Sequence, residues 1–269
     1  MKFFDAHAHI QLPQFDTDRA EVLARMQADE VGAIVVGTDF ETSKVAVELA
    51  EQHDFLWASV GLHPNHPSTD STSSPQASSG QVTLEEFEVL AKHPKVVAIG
   101  ECGLDYYRQE PTEVIKKIQH ERFKKHITLA LATSKPLIVH CRPTRGTQNA
   151  HEEMFELLTA NSGVRVVMHF FTSTKEIAEK YLALGCYLSF PGPVTFGDMY
   201  DEAIRATPLD RMLSETDSPF AAPVPCRGTR NEPIYVVEVV KKIATVKSLP
   251  VDEVATHICN NACTVFGLW

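Results

Sequence analysis

The chain has 269 residues and a hydrophobic share of 43%, enough for a sizeable core and too apolar for a disordered polypeptide. Lys and Arg total 25 against 35 Asp and Glu, a formal net charge of −10. That balance excludes attachment to nucleic acid or membrane by bulk electrostatics; an anionic partner would have to be held by local positive charge or a metal.

The first predicted element is an apolar strand, KFFDAHAH (2–9). Strand alternation places Asp5, His7 and His9 on one face, where two imidazoles can grip a cation. Similar β-branched or apolar runs follow at 32–38, 55–63, 95–103, 135–141, 164–170, 185–190 and 210–217. Their near-continuous hydrophobicity suits strands buried on both faces of a parallel sheet. Helical periodicity fills the intervals at 18–30, 42–53, 83–93, 113–134, 149–161 and 174–185, with closing helices at 232–247 and 251–266. Several open on a Thr, Asn or Ser suited to an N-cap.

Strand followed by helix, repeated eight times, is the pattern of a (β/α)8 TIM barrel, here expected as a single domain over residues 1–269. An open doubly wound sheet is the alternative, but the Gly-rich phosphate loop it would carry after the first strand is missing. A Ser, Thr and Pro-rich stretch at 65–81 reads as a surface insertion after the third strand. The segment 218–233, with four prolines and two arginines, follows the eighth strand. No apolar run nears the ~20 residues that cross a bilayer, and the opening strand does not read as a signal peptide. Six cysteines without a CxxC pair read as reduced thiols. These features point to the cytoplasm and to no membrane partner. A monomer is the default expectation for the oligomeric state.

Barrel enzymes place their chemistry at the C-terminal ends of strands. There this sequence sets His7 and His9, His63, Glu101, His140, His169 and Asp217. The remaining histidines (His53, His66, His93, His120, His126, His151 and His257) fall in helices or loops and are ascribed to the surface. Cys102 and Cys141, each following one of the strand-end groups, should point to the helix layer as core thiols. Burying several ionisable groups at one mouth costs several kcal/mol unless something compensates them, and divalent cations do so directly.

The stretches FDAHAHI, GLHPNH, AIGECGLDYYR, PLIVHCR, VMHFFTS, LSETDSPF and RGTRNEP, taken in order, resemble the motifs of the TatD family of metal-dependent deoxyribonucleases, amidohydrolase-type barrels. The likeness runs from residue 3 to the closing NACTVFGL (261–268). It implies two divalent metal ions, one held by His7, His9 and Asp217, the other by His140 and His169, with Glu101 bridging. It also puts His63 beside the pocket, on substrate or water. Asn65 stands where the family usually has a second histidine, HFFTS replaces HCFSG, and the Ser-rich stretch is longer than usual.

Imidazole and carboxylate ligands suit Zn or Mn, and family precedent adds Mg. Two metals about 3.5–4 Å apart can share a hydroxide and make it a nucleophile at pH 7. Asp217 is the expected general base, with Glu101 the shared catalytic ligand. Arg108, Arg142, Arg145, Arg227 and Arg230 follow strand ends and could fork onto phosphate, while Tyr106 and Tyr107 could stack on bases. The expected reaction is hydrolysis of DNA phosphodiesters, 3′ to 5′, from a single strand or strand end. A small-molecule hydrolase acting on a lactone, amide or phosphoester is the alternative, because fold and metals do not choose the substrate. A scaffold without activity is a third reading, opposed by the complete ligand set.

Overall fold

The computed structural model describes residues 1–67, 84–108 and 110–268. Most of the Ser-rich 65–81 stretch therefore lies outside the described residues. Eight strands run in chain order: β1 Phe3–Ala8, β2 Val31–Val36, β3 Leu56–Val60, β4 Val96–Asp105, β5 Leu137–Arg142, β6 Val166–Met168, β7 Tyr187–Phe190 and β8 Met212–Ser214. Every neighbouring pair is parallel and the order is β1 to β8 without exchange. β8 returns to β1 through the Ala8–Ser218 bridge and through Ser214 Oγ, which donates to Phe4 O at 3.0 Å. The result is the expected TIM barrel, nearly closed.

The helices that separate the strands are α1 Arg19–Ala28, α2 Phe40–Glu51, α3 Leu84–Ala91, α4 Glu113–Thr133, α5 Asn149–Ala160, α6 Lys175–Ala183 and α7 Asp201–Ala206, followed by α8 Val236–Lys247 and α9 Val251–Phe266. Side-chain caps fix several starts. Asp39 and Thr42 form a reciprocal capping box on α2, Thr112 caps α4 and Thr174 caps α6. α7 was not anticipated, because six residues give too short a run for periodicity to show.

The apolar residues divide into two layers. Phe3, Val35, Val60, Leu104, Val139 and their neighbours pack outward against the helices. Phe4, Ala6, Ile34, Ala98, Ile138 and Leu213 fill the barrel, where Ala262, Val265 and Phe266 of α9 join them. The Phe4 and Phe266 rings stack at 6.4 Å. α9 thus plugs the end where the strands begin and leaves the end where they finish free for chemistry.

Two of the histidines ascribed to the surface are buried instead. His126 of α4 is fully enclosed, accepting the Leu62 N–H at 3.0 Å on Nε2 while Nδ1 donates to Arg122 O at 2.8 Å. His151 of α5 packs beside Tyr181 and Cys141. Their helices turn these positions toward the barrel wall, and a polar residue on a helix gives no sequence sign of such burial once its partners are distant.

Candidate metal centre

His7 and His140 lie in β1 and β5, His9 and His169 directly follow β1 and β6, and His63 and Asp217 lie three residues past β3 and β8. Glu101 differs from expectation. β4 does not end near it but runs on to Asp105, and Glu101 stands where the β4–β5 register slips between Ile99 and Cys102. Gly100 makes that turn possible. Its φ is +143°, and a Cβ there would lie 2.4 Å from Ile138 O.

A second slip, between Asp5 and Ala8, interrupts the alternation of β1. His7 and His9 converge, with their Nε2 atoms 3.1 Å apart. Asp5 does not join them. Its carboxylate accepts the Thr216 hydroxyl, the Thr216 N–H at 2.9 Å and the His7 N–H at 3.1 Å. It ties β1 to the strand-eight loop, and burial pushes its pKa up to about 8.

The two oxygens of Glu101 face different partners. Oε2 lies 3.5 Å from His7 Nε2 and 3.8 Å from His9 Nε2. Oε1 lies 2.8 Å from His140 Nδ1 and 3.5 Å from both His169 Nε2 and His63 Nε2. Asp217 Oδ1 closes the first side, 3.3 Å from His9 Nε2 and 3.7 Å from His7 Nε2. The donor atoms fall into three overlapping groups: His7, His9 and Asp217; His7, Glu101 and His169; His63, Glu101 and His140. All seven expected groups are therefore together. The grouping differs in detail, since His169 stacks on His7 at 3.6 Å between ring centres while His140 sits nearer His63.

Hydrogen bonds behind the rings set which nitrogen faces the centre. His9 Nδ1 is 2.7 Å from Val36 O, an acceptor only, so it carries the proton and Nε2 is left free. His140 Nε2 is held by Asp105 Oδ2 at 3.1 Å, while His169 Nδ1 forms an ion pair with Glu215 Oε1 at 2.8 Å without hydrogen-bond alignment. His63 is reversed. Its Nδ1 accepts the Asn65 N–H at 3.1 Å, so in the neutral ring the proton sits on Nε2, toward Glu101.

Electrostatics agree with a place built for cations. Burial opposes charge on His169, yet the Glu215 and Glu101 carboxylates outweigh it and hold the ring up to about 9. His140 and His9 are raised against burial in the same way, by Asp105 with Glu101 and by Asp217 with Glu101. Burial would raise Glu101, but the surrounding histidines hold it well below the carboxylate range. The carboxylates thus favour positive charge at these rings, a role that a divalent ion can take over. Burial takes His63 the other way, down to about 4. Four free imidazole nitrogens and two carboxylates are a donor set that fits borderline divalent ions. Asp217, itself one of the candidate donors, and Phe170, which follows His169, hold left-handed backbone at φ 56° and 51°, the kind of strain that concentrates at functional sites.

The centre opens into a cavity of about 1010 Å³ whose wall includes His63, Arg108, Arg142, Phe170, Met199 and Phe220. Arg142 lies across the Tyr107 ring at 3.8 Å. Two expected substrate contacts need correction. Tyr106 is buried and its hydroxyl donates to Glu153 at 2.6 Å, so the ring belongs to the core and no base can reach it. Arg230 is bound through both terminal nitrogens to Asp18 at 2.6 Å, reaches Glu232 at 3.0 Å and covers Phe15; it clasps the strand-eight loop to the strand-one loop. Asp105, Glu215 and Asn65 were missed as supports. Glu215 stands two residues before Asp217 and Asp105 four after Glu101, but only the folded chain shows which imidazoles they hold.

A sequence model described as TatD related DNase matches residues 4–267. A Bacillus subtilis protein named uncharacterized metal-dependent hydrolase YabD is 39% identical over 98% of this chain and 99% of its own length. A 3′-5′ ssDNA/RNA exonuclease TatD from Erwinia amylovora is 33% identical over 98% of this chain and 100% of its own. The crystal structure of YJJV, a TatD homologue from Escherichia coli K12, superposes with a TM-score of 0.84 at 27% identity, covering 99% of this chain and 98% of that one. With matched family residues along nearly the whole length and a histidine and carboxylate centre at the barrel mouth, the chain belongs to the TatD-related DNase family and is one of its metal-dependent hydrolases.

Proposed function

We propose that the protein is a two-metal phosphodiesterase that removes nucleotides from the 3′ end of single-stranded DNA. The observation that carries the reading is the divided set of neighbours around Glu101, one oxygen facing His7 and His9 and the other facing His140, His169 and His63. A carboxylate so placed is suited to bridge two ions of the Zn, Mn or Mg class. When bound, such ions would supply a hydroxide at neutral pH and offset charge on the phosphoryl oxygens.

His7, His9 and Asp217 would hold one ion, and His140 and His169 the other. Asp217, held ionised against burial by His9, takes a proton from the attacking water. His63, neutral above about pH 4, presents Nε2–H as a donor to a phosphoryl oxygen. Arg108 and Arg142 line the approach with positive charge in an otherwise acidic protein, which suits a phosphodiester strand. The relative named as a 3′-5′ ssDNA/RNA exonuclease supports the polarity. Every ligand comes from one chain over residues 1–269, so a single-domain monomer suffices. Six free cysteines accord with a reducing, cytoplasmic setting.

The test is a digest of 5′-labelled and 3′-labelled single strands with Mg or Mn, with and without chelator. Stepwise shortening from the 3′ end that chelator abolishes is expected. Turnover of lactones or phosphate esters with no cutting of DNA would assign the same centre to small molecules.

A further inference from the structure

We infer that Phe220 is a stacking platform for the nucleobase of the nucleotide cleaved at the metal centre, a subsite that rests on the nuclease reading and gives it a base-binding element. Phe220 lines the cavity and keeps 47% of its surface exposed, so an apolar ring stands open beside a buried polar centre. Its ring lies 6.2 Å from the His9 ring, edge to face, which sets it about one nucleotide's breadth from a metal ligand.

The backbone beneath it is fixed. Phe220 N–H donates to Asp217 O at 2.9 Å, and buried Asn231 donates through Nδ2 to Phe220 O at 2.7 Å and Thr216 O at 2.8 Å. Asn231 N–H adds a bond to Pro219 O at 3.1 Å. The turn that delivers Asp217 to the metals thus delivers the exposed ring as well, and the two cannot shift independently. A rigid flat apolar face beside a charged centre is what an unpaired base needs, since stacking accepts any base and orders little on binding. Charge complements it, because Arg108 and Arg142 line the same cavity and can take the strand's phosphates. Of the two aromatics offered by the sequence, Tyr106 is buried, and Tyr107, though 49% exposed, has one ring face occupied by Arg142.

The experiment uses metal-loaded protein and a short single strand whose 3′-terminal nucleotide is 2-aminopurine behind a slowly cut phosphorothioate linkage, with an abasic-ended strand as the comparison. Wild type should quench the 2-aminopurine and bind the base-bearing strand about tenfold or more tighter than the abasic one. Phe220→Ala should lose quenching and preference together, Phe220→Trp should keep both, and Phe220→Leu, which retains apolar bulk without a flat face, should resemble the alanine variant. Equal weakening of both strands by Phe220→Ala, or quenching that survives it, would overturn the platform. Absence of chelator-sensitive shortening of ordinary DNA by wild type would instead overturn the nuclease reading, and the quenching would still decide the stack.

Discussion

His140 donates through Nε2 to Asp105 Oδ2 at 3.1 Å while its Nδ1 faces Glu101 Oε1 at 2.8 Å. Asp105 thereby orients a ligand without touching the centre, and it is itself fixed by the Asn65 side chain at 2.7 Å and the Tyr107 N–H at 2.9 Å. A carboxylate behind a ligating imidazole sets its tautomer and raises its basicity. Asp105→Ala should therefore weaken binding of one metal equivalent about 10-fold to 100-fold and leave the other within a few-fold. Metal titration by calorimetry checks this; two unchanged equivalents would remove Asp105 from the centre.

His63 should behave differently from the four histidines assigned as ligands. Its Nδ1 is occupied by the Asn65 N–H, so Nε2 faces the centre as a donor. His63→Ala should keep full metal content while kcat falls by about 100-fold, the scale of a lost transition-state hydrogen bond. His63→Gln, which can still donate, should recover part of the loss. Metal analysis beside steady-state kinetics separates the roles, because a missing metal equivalent in the alanine variant would make His63 a ligand.

The barrel was legible because eight apolar strands at regular spacing leave one common architecture, and the clustering of seven polar groups at its mouth because imidazoles and carboxylates seldom end buried strands without cause. What escaped depended on distant partners. Arg230 and Arg142 look alike in sequence, yet one is consumed by Asp18 and the other opens onto the cavity. Tyr106 and Tyr107 are adjacent just past the end of β4, yet one is buried against Glu153 and the other is half exposed. Asp5 shared a face with His7 on paper until the slip in β1 separated them.

Acid should destabilise the protein through its buried neutral histidines. Burial takes His126 and His151 down to about 4, against an ordinary value near 6.5 in the unfolded chain. Between those values the unfolded chain binds more protons at these two positions, so their contribution to stability falls as pH drops from about 6.5 to about 4 and is constant below. His126→Ala should cost about 1–3 kcal/mol at pH 7 by orphaning the Leu62 N–H, and should flatten part of the acid limb. Denaturant titrations at several pH values on chelated protein test both; an acid limb as steep in the variant would clear His126 of the effect.

Metal affinity should rise with pH well past the ordinary histidine range. With His169 held up to about 9 by Glu215 and Glu101 in the metal-free protein, an incoming ion must expel a proton throughout neutrality. Apparent affinity should climb from pH 6 to about pH 9, with proton release measurable in calorimetry run in buffers of different ionisation enthalpy. Glu215→Gln keeps the side-chain shape but withdraws the charge, so the climb should then end at a lower pH. An unchanged profile would mean that Glu215 does not govern the ring.

Gly103 offers the sharpest check on how the fold aims its ligands. Its φ is +139°, and a Cβ there would stand 2.0 Å from His140 O, so β4 and β5 approach too closely for any side chain. Gly103→Ala must strain the backbone and push β5 away, and β5 carries His140. Stability should fall by about 2 kcal/mol or more, lowering Tm by about 5 °C in a chain of this size. Because the displaced residue is a proposed metal ligand, metal affinity should fall in the same variant, measured on the fraction that remains folded. A variant that melts early yet binds metal as wild type does would show that β5 yields elsewhere, and that the contact at Gly103 serves the barrel alone.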